Sequence, residues 1–278
     1  MLKYKYMSID KICKLIQENQ PVASLDKVGN AHKLLKQELA DLSFSDKKVI
    51  YNKAMEKSEQ AAKKNAHIDF ICAALFFDLI EKKKELYKKI HKEFGAEIEM
   101  IIRSYAFTKK RLKPVRIDLF EHSYNTCLYL ASVKIDPASI CAALLHELPQ
   151  HTDTSMQEIR SEFGQEVTNL LEQFEKIREI KTSNSSQYVL HLREMVIAMA
   201  KDLRVIIIKM CSNIDRMQTP IISEHDKLAN VALESREILA PIADLLGIWQ
   251  LRWQLEDLAF KTLDPDNYQK ISKRFDID

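Results

Sequence analysis

Two blocks of this sequence occur twice at one spacing, and this internal repeat restricts the folds open to the chain. ICAALFFDL at 71–79 matches ICAALLHEL at 140–148, and KEFGAEIEMI at 92–101 matches SEFGQEVTNL at 161–170. Both matches have an offset of 69 residues. They predict a duplicated helix–turn–helix unit, in which each Cys-Ala-Ala-Leu helix packs against the helix that follows. The first copy covers about 52–105.

Apolar residues recur with helical periodicity along almost the whole chain. Its 278 residues include only four glycines and seven prolines, which is little turn chemistry for a many-stranded sheet. The sequence therefore predicts an all-α fold. The predicted helices cover 8–18, 27–42, 46–64, 67–80, 82–105, 118–132, 136–147, 155–178, 187–217, 224–245, 248–262 and 265–274.

Several of these helices have recognisable start signals. Ser155 and Glu158 have the spacing of a capping box, and Asp118 and Asp136 are suited to cap free amide groups. Pro137 fits a first helical turn.

Charge and cysteine content narrow the cellular setting. The net charge of +2 gives no reason to expect a nucleic acid or a membrane as partner, and no apolar run has the length of a signal peptide or a membrane span. The five cysteines form no C-x-x-C pair, which favours buried, reduced thiols and a cytoplasmic protein. They are Cys13, Cys72, Cys127, Cys141 and Cys211.

A candidate metal site lies in CAALLHELPQHTDTS at 141–155. His146 is followed directly by Glu147, and His122 precedes this pair by 24 residues. Divalent metals that activate water for phosphate chemistry bind imidazole and carboxylate ligands from different helices. The first repeat copy has no histidine at the matching positions and is predicted to be structural. Those positions are Lys53, Phe77 and Asp78.

Two further segments carry a family resemblance. LREMVIAMAKDLRVIIIKM at 192–210 and ESREILAPIADLLGIWQLRWQLEDLAF at 234–260 resemble the N-terminal hydrolase domain of the RelA/SpoT family, which makes and destroys guanosine tetra- and pentaphosphate. The likeness covers roughly 115–275. It implies an all-α HD-domain helical bundle over 114–278, after an N-terminal helical extension at 1–113. It also implies one Mn²⁺ ion, used to remove the 3′-pyrophosphate of the alarmone.

The family's site pattern is only partly retained. The resemblance assigns the two metal histidines to His122 and His146, and places Glu147 where the family has Asp. The Glu and Asp of the family's H-D-x-x-E-D run, which activate water and organise the site, correspond to Gln150 and His151. Neither residue supplies the expected carboxylate.

The last part of the pattern is changed as well. In CSNIDRMQT at 211–219, Ser212 stands where the family has its fourth ligand, an Asp, and Arg216 where it has a nucleotide-contacting Asn. Asp215 lies three residues after Ser212, about 4.5 Å further along a helix. The segment KKRLKPVRIDLFEH at 109–122 has no glycine and replaces the family's guanine-holding loop.

These changes lead to a first hypothesis, a catalytically inactive (p)ppGpp-hydrolase-like domain with a regulatory or structural role. No cofactor is expected. Because the synthetase follows this domain in long family members, the expected partner is a synthetase domain of the same protein, a GTP pyrophosphokinase, or another protein.

Two alternatives stay open. One is an active Mn²⁺-dependent 3′-pyrophosphohydrolase with a remodelled site, built from the two metal histidines and Glu147 with His151 or Asp215. The other is a metal-free sensor of alarmone or guanine nucleotide that binds phosphates through basic residues. These are Lys109, Lys110, Arg111 and Arg216.

Structural interpretations of single residues accompany these hypotheses. Trp249 and Trp253 are four residues apart on one helix face and are predicted to lie in the core. Arg216 is predicted to form an ion pair with Glu147, where a metal charge was lost. His146 is expected to hydrogen-bond inside the bundle.

Overall fold

A computed structural model describes residues 8–21, 24–178, 202–220 and 227–275. Within these ranges every regular element is a helix, which confirms the all-α prediction. No helix in the described ranges is both long and apolar enough to cross a membrane. The helices are α1 (Ile9–Asn19), α2 (Asp26–Leu39), α3 (Phe44–Lys63), α4 (Ile68–Ala74), α5 (Leu86–Phe94), α6 (Ala96–Leu112), α7 (Ile117–Ser132), α8 (Pro137–Leu145), α9 (Leu148–His151), α10 (Met156–Ile177), α11 (Leu203–Gln218), α12 (Leu228–Glu234), a π-helical turn (Ser235–Leu239), α13 (Ala240–Leu245), α14 (Trp249–Leu263) and α15 (Pro265–Phe275).

The chain forms two compact units. The first consists of residues 1–114 and 127–145. In it α4 packs against α2, α3 and α6, and α6 packs against α8. Large side chains at its centre are fully buried, among them Phe70, Phe76, Phe77 and Tyr105.

The second unit consists of residues 115–126 and 146–278. In it α11 packs against α10, α12 and α14, and α14 packs against α13 and α15. Ile206, Met210 and Ile214 of α11 are fully buried. The domain boundary expected at 113/114 remains a prediction.

The internal repeat extends to the backbone conformation. Gly95 and Gly164 are 69 residues apart and have φ values of +94° and +84°. Asn65 and Lys134 have the same offset, and both have a φ of +56°. The single helix predicted over 82–105 is therefore wrong, because Gly95 separates α5 from α6, as Gly164 kinks α10.

Other helix boundaries differ from the predictions more locally. The helix expected over 67–80 ends at Ala74, and the segment expected over 224–245 contains the π-helical turn. Of the segment expected over 187–217, residues up to 201 lie outside the described ranges, as do residues 224–226.

The predicted capping interactions are largely present. Ser155 Oγ accepts from the Glu158 amide at 3.1 Å, and Asp136 Oδ1 accepts from the Ser139 amide at 3.1 Å. Asp118 does not occupy the predicted N-cap position, because α7 already begins at Ile117.

The two tryptophans of α14 are not core residues, contrary to the prediction. Trp249 is 70% exposed and Trp253 is 65% exposed. The buried face of α14 is formed by Leu251 and Leu255. These leucines follow the tryptophans by two residues, which places them about 200° around the helix axis. The i, i+4 spacing identified a helix face, but that face points to solvent.

We expect the repeat glycines to resist substitution for a conformational reason. A Cβ at Gly95 or Gly164 would meet no atom within 4 Å, so the cost of alanine comes from the positive φ alone. Gly95→Ala and Gly164→Ala should each lower the free energy of unfolding by about 1–3 kcal/mol. Gly29→Ala, in an open helical position of α2, is the control and should raise it by up to about 1 kcal/mol. Urea melts measure all three, and equal effects at Gly29 and Gly164 would contradict this explanation.

The cysteines should divide into two reactivity classes. Cys13 is half-buried, whereas the other four thiols are free and buried. Burial raises the pKa of Cys72 and of Cys141 to about 12. Because the thiolate is the reactive form, Ellman's reagent at pH 8 should modify one thiol in the native protein and five after unfolding. Cys13→Ser should remove the native reaction, and several fast native thiols would contradict the burial.

Candidate functional site

The second unit brings the predicted site residues together from three parts of the chain. His122 comes from α7, His146 and Glu147 from the turn after α8, and Ser212 and Asp215 from α11. All five side chains are buried. One possible ligand atom from each of His122, His146 and Glu147 lies within 4.8 Å of the other two. The structure therefore contains a possible His/Glu metal site.

His122 is held from both sides of its ring by α11. Its Nδ1 lies 2.7 Å from Asp215 Oδ2, and its Nε2 lies 3.1 Å from Ser212 Oγ. The same Nε2 is 3.7 Å from Glu147 Oε1. Asp215 thus contacts the ring nitrogen that points away from Glu147. It orients the imidazole and does not join the group of possible ligands.

Both carboxylate oxygens of Glu147 accept hydrogen bonds from arginines. Arg216 Nη2 lies 2.9 Å from Oε1, and Arg178 Nη1 lies 3.0 Å from Oε2. His146 Nε2 is 3.0 Å from Oε1, and His151 Nε2 is 3.2 Å from Oε2. The predicted ion pair between Arg216 and Glu147 is therefore confirmed.

Burial and charge set the protonation of this group. Burial alone would raise the pKa of Glu147, but contacts with His146, His151 and Arg178 outweigh it and hold that pKa well below the usual range. Burial lowers the pKa of His146 to about 4, against the opposing effect of Glu147. Near neutral pH, Glu147 is therefore ionised and His146 is neutral.

A second buried polar cluster adjoins the arginines. Lys209 Nζ lies 3.3 Å from Glu234 Oε2 and donates to the Arg178 carbonyl oxygen at 2.8 Å. Asn213 Nδ2 donates to the same Glu234 oxygen at 2.9 Å. Burial lowers the pKa of Lys209 although Glu234 acts against this shift. Sequence reasoning identified neither Arg178 nor this cluster.

The pairing of Arg178 with Glu147 has a counterpart in the first repeat copy. There Lys109 Nζ lies 2.8 Å from Asp78 Oδ1. Asp78 and Lys109 each precede their counterparts by the repeat offset of 69 residues. This offset, applied beyond the two matched blocks, was the signal that could have identified Arg178. The carboxylate–cation pair belongs to the duplicated scaffold.

A ring contact is repeated in the same way. Phe77 stacks on Tyr105 with 4.0 Å between ring centroids, and His146 meets Phe174 edge-on at 5.2 Å. These two pairs are again related by the repeat offset. His146 therefore occupies a packing position that an apolar ring fills in the first copy.

The remaining predicted residues have other contacts. Gln150 Nε2 donates to Glu175 Oε2 at 2.8 Å. In the first unit, Lys109 is also 2.8 Å from Glu81 Oε1, and the guanidinium of Arg111 lies 3.6 Å from the centroid of the Phe107 ring. Lys110 is exposed.

The donor set fits a divalent cation in distance but not in charge. Three possible donors are close together, yet each oxygen of Glu147 already meets a guanidinium, and Ser212 offers a neutral hydroxyl where the family resemblance calls for Asp. A divalent ion needs anionic ligands to offset its charge. Here two fixed positive charges surround the one carboxylate of the group.

Comparisons with known proteins agree with the helical site. Residues 102–249 match the HD domain family. A guanosine-3′,5′-bis(diphosphate) 3′-pyrophosphohydrolase of Aquifex aeolicus is 35% identical over 192 residues, which are 68% of this chain and 27% of that protein. A probable enzyme of the same name from Synechocystis sp. is 39% identical over 137 residues, or 49% of this chain and 18% of that protein. A GTP pyrophosphokinase of Streptomyces coelicolor is 37% identical over 150 residues, or 54% and 18%. The chain thus spans about a quarter or less of the length of these relatives.

We expect His146 to make stability depend on pH. Its pKa of about 4 in the folded state lies below the usual 6.5, so the folded state favours the neutral ring. The stabilisation is complete above pH 6.5 and is lost as the pH falls towards 4. Between pH 7 and pH 5.5 the loss should be about 1 kcal/mol.

The matched variant is His146→Phe, because Phe77 fills the corresponding position of the first copy. Urea melts of both proteins at pH 7 and pH 5.5 measure the effect. The variant should show the smaller pH dependence, and an unchanged dependence would contradict a buried neutral His146.

Proposed function

The chain belongs to the HD domain family and carries an HD domain of the RelA/SpoT type, and from this we propose that it is a hydrolase-like domain without hydrolase activity. In this proposal the domain has a regulatory or structural role in the metabolism of guanosine 3′-pyrophosphates in the cytoplasm. It uses no metal cofactor.

The observation that carries the proposal is the state of Glu147. Arg178 and Arg216 each donate to one of its oxygens, so its charge is already balanced by the chain. Hydrolysis would further need a carboxylate to activate water, and the resemblance places Gln150 and His151 where such groups are expected. His151 donates to or accepts from Glu147 itself, and Gln150 contacts Glu175.

The proposed partner is an alarmone synthetase. Relatives named GTP pyrophosphokinase are similar to this chain over about half of its length, and the chain covers 18% of the one from Streptomyces coelicolor. We propose that this domain holds or restrains a synthetase domain, either in the same protein or in another chain. A retained helical scaffold with altered site residues is consistent with such a role.

One alternative has an observation in its favour. The ligand atoms of His122, His146 and Glu147 are close enough to bind one ion, as a Mn²⁺-dependent 3′-pyrophosphohydrolase would require. The nucleotide-sensor alternative is less favoured, because Lys109 and Arg216 are both engaged with carboxylates.

The proposal predicts no metal-dependent turnover. The protein, incubated with guanosine tetraphosphate and Mn²⁺, should release pyrophosphate no faster than a sample without protein. Losing a metal ligand or general base usually costs orders of magnitude in rate, so the measurement should follow single turnovers at high protein concentration. His146→Ala and His122→Ala should leave the background unchanged. Mn²⁺-dependent release that His146→Ala abolishes would establish the alternative.

A further inference from the structure

The two guanidinium groups on Glu147 have different origins, and only one of them is explained by the fold. We infer that Arg216 serves as a built-in replacement for the divalent cation, so that the centre is complete without metal and excludes Mn²⁺. This inference rests on the proposed function and names the residue responsible for the loss of the metal.

The contacts around Glu147 Oε1 carry the first step. This oxygen is the one shared with the possible ligands, at 3.0 Å from His146 Nε2 and 3.7 Å from His122 Nε2. Arg216 Nη2 lies 2.9 Å from the same oxygen. An ion bound by the two imidazoles and Oε1 would face a guanidinium on its own ligand atom. Arg216 therefore competes with a cation for the same negative charge.

Arg178 does not compete in this way. It donates to Oε2 and to the His146 carbonyl oxygen, and it also pairs with Glu175. Its counterpart Lys109 makes the same pairing in a copy of the repeat that has no histidine at the corresponding positions. The Arg178 contact is thus part of the scaffold.

The first copy shows what a centre without metal needs. Its buried carboxylate, Asp78, is paired with two cations, Lys57 and Lys109. Lys57 comes from α3, and the residue at the matching position of the second copy is Thr126, which carries no charge. Arg216, from α11, restores the second cation by another route. Both copies thus place two cations on one buried carboxylate.

A metal-binding experiment tests the inference. The full chain, freed of metal by chelation, is titrated with MnCl₂, and free Mn²⁺ is followed by electron paramagnetic resonance. Wild type should bind no Mn²⁺ at this site. Arg216→Met, which keeps the length but not the charge, should bind one Mn²⁺ at least about tenfold more tightly than wild type. The double variant His122→Ala/Arg216→Met should lose this binding.

Two controls separate charge from packing. Arg178→Met removes the other guanidinium and should leave Mn²⁺ excluded, and Arg216→Lys keeps a positive charge and should do the same. Arg216→Gln provides a second neutral variant if the methionine disturbs folding, which near-ultraviolet circular dichroism reports. Added Mn²⁺ should raise the melting temperature of the neutral Arg216 variants and not that of wild type.

Two results would overturn the inference. One is stoichiometric, His122-dependent Mn²⁺ binding by wild type, and the other is the absence of binding in folded variants with a neutral residue at position 216. Failure of the proposed function would look different. It would appear as turnover of guanosine tetraphosphate, whereas wild type that binds Mn²⁺ without turnover would overturn this inference alone.

Discussion

The buried carboxylate of Glu147 is the constraint on which the second unit depends. A fully buried ion is tolerated only when hydrogen bonds and opposite charges replace the water it has lost. Those partners come from the end of α10, from α11 and from α9, through Arg178, Arg216 and His151. The positions of these helices are therefore tied to one anionic group. Removing a single partner would leave uncompensated charge in the interior.

The duplication separates what the fold needs from what chemistry once needed. Both copies keep a buried carboxylate, a cation on it, a contact between two rings and a glycine with positive φ. Only the second copy has His146 and His122, at positions that carry Phe77 and Lys53 in the first. Features present in both copies are best explained by packing and electrostatics.

The sequence predicted the helical class, two of the caps and the Arg216 pair, because periodicity, capping chemistry and charge balance are local or pairwise signals. It did not predict the break at Gly95, since a lysine-rich segment with good helix formers hides one residue with positive φ. The exposure of Trp249 was missed because spacing defines a helix face without saying what covers it. Arg178 was missed because its only signal is the repeat offset to Lys109.

Helix register, more than the number of carboxylates, decides what this centre can do. The Asp215 carboxylate is only three residues from Ser212, yet it meets Nδ1 of His122 while the neutral hydroxyl of Ser212 meets Nε2. The negative charge therefore lies behind the imidazole, and the face towards Glu147 gains none. A metal site needs the reverse balance, with anionic ligands on the shared face. With Ser212 on that face, the positive charge that offsets Glu147 comes from Arg178 and Arg216 instead.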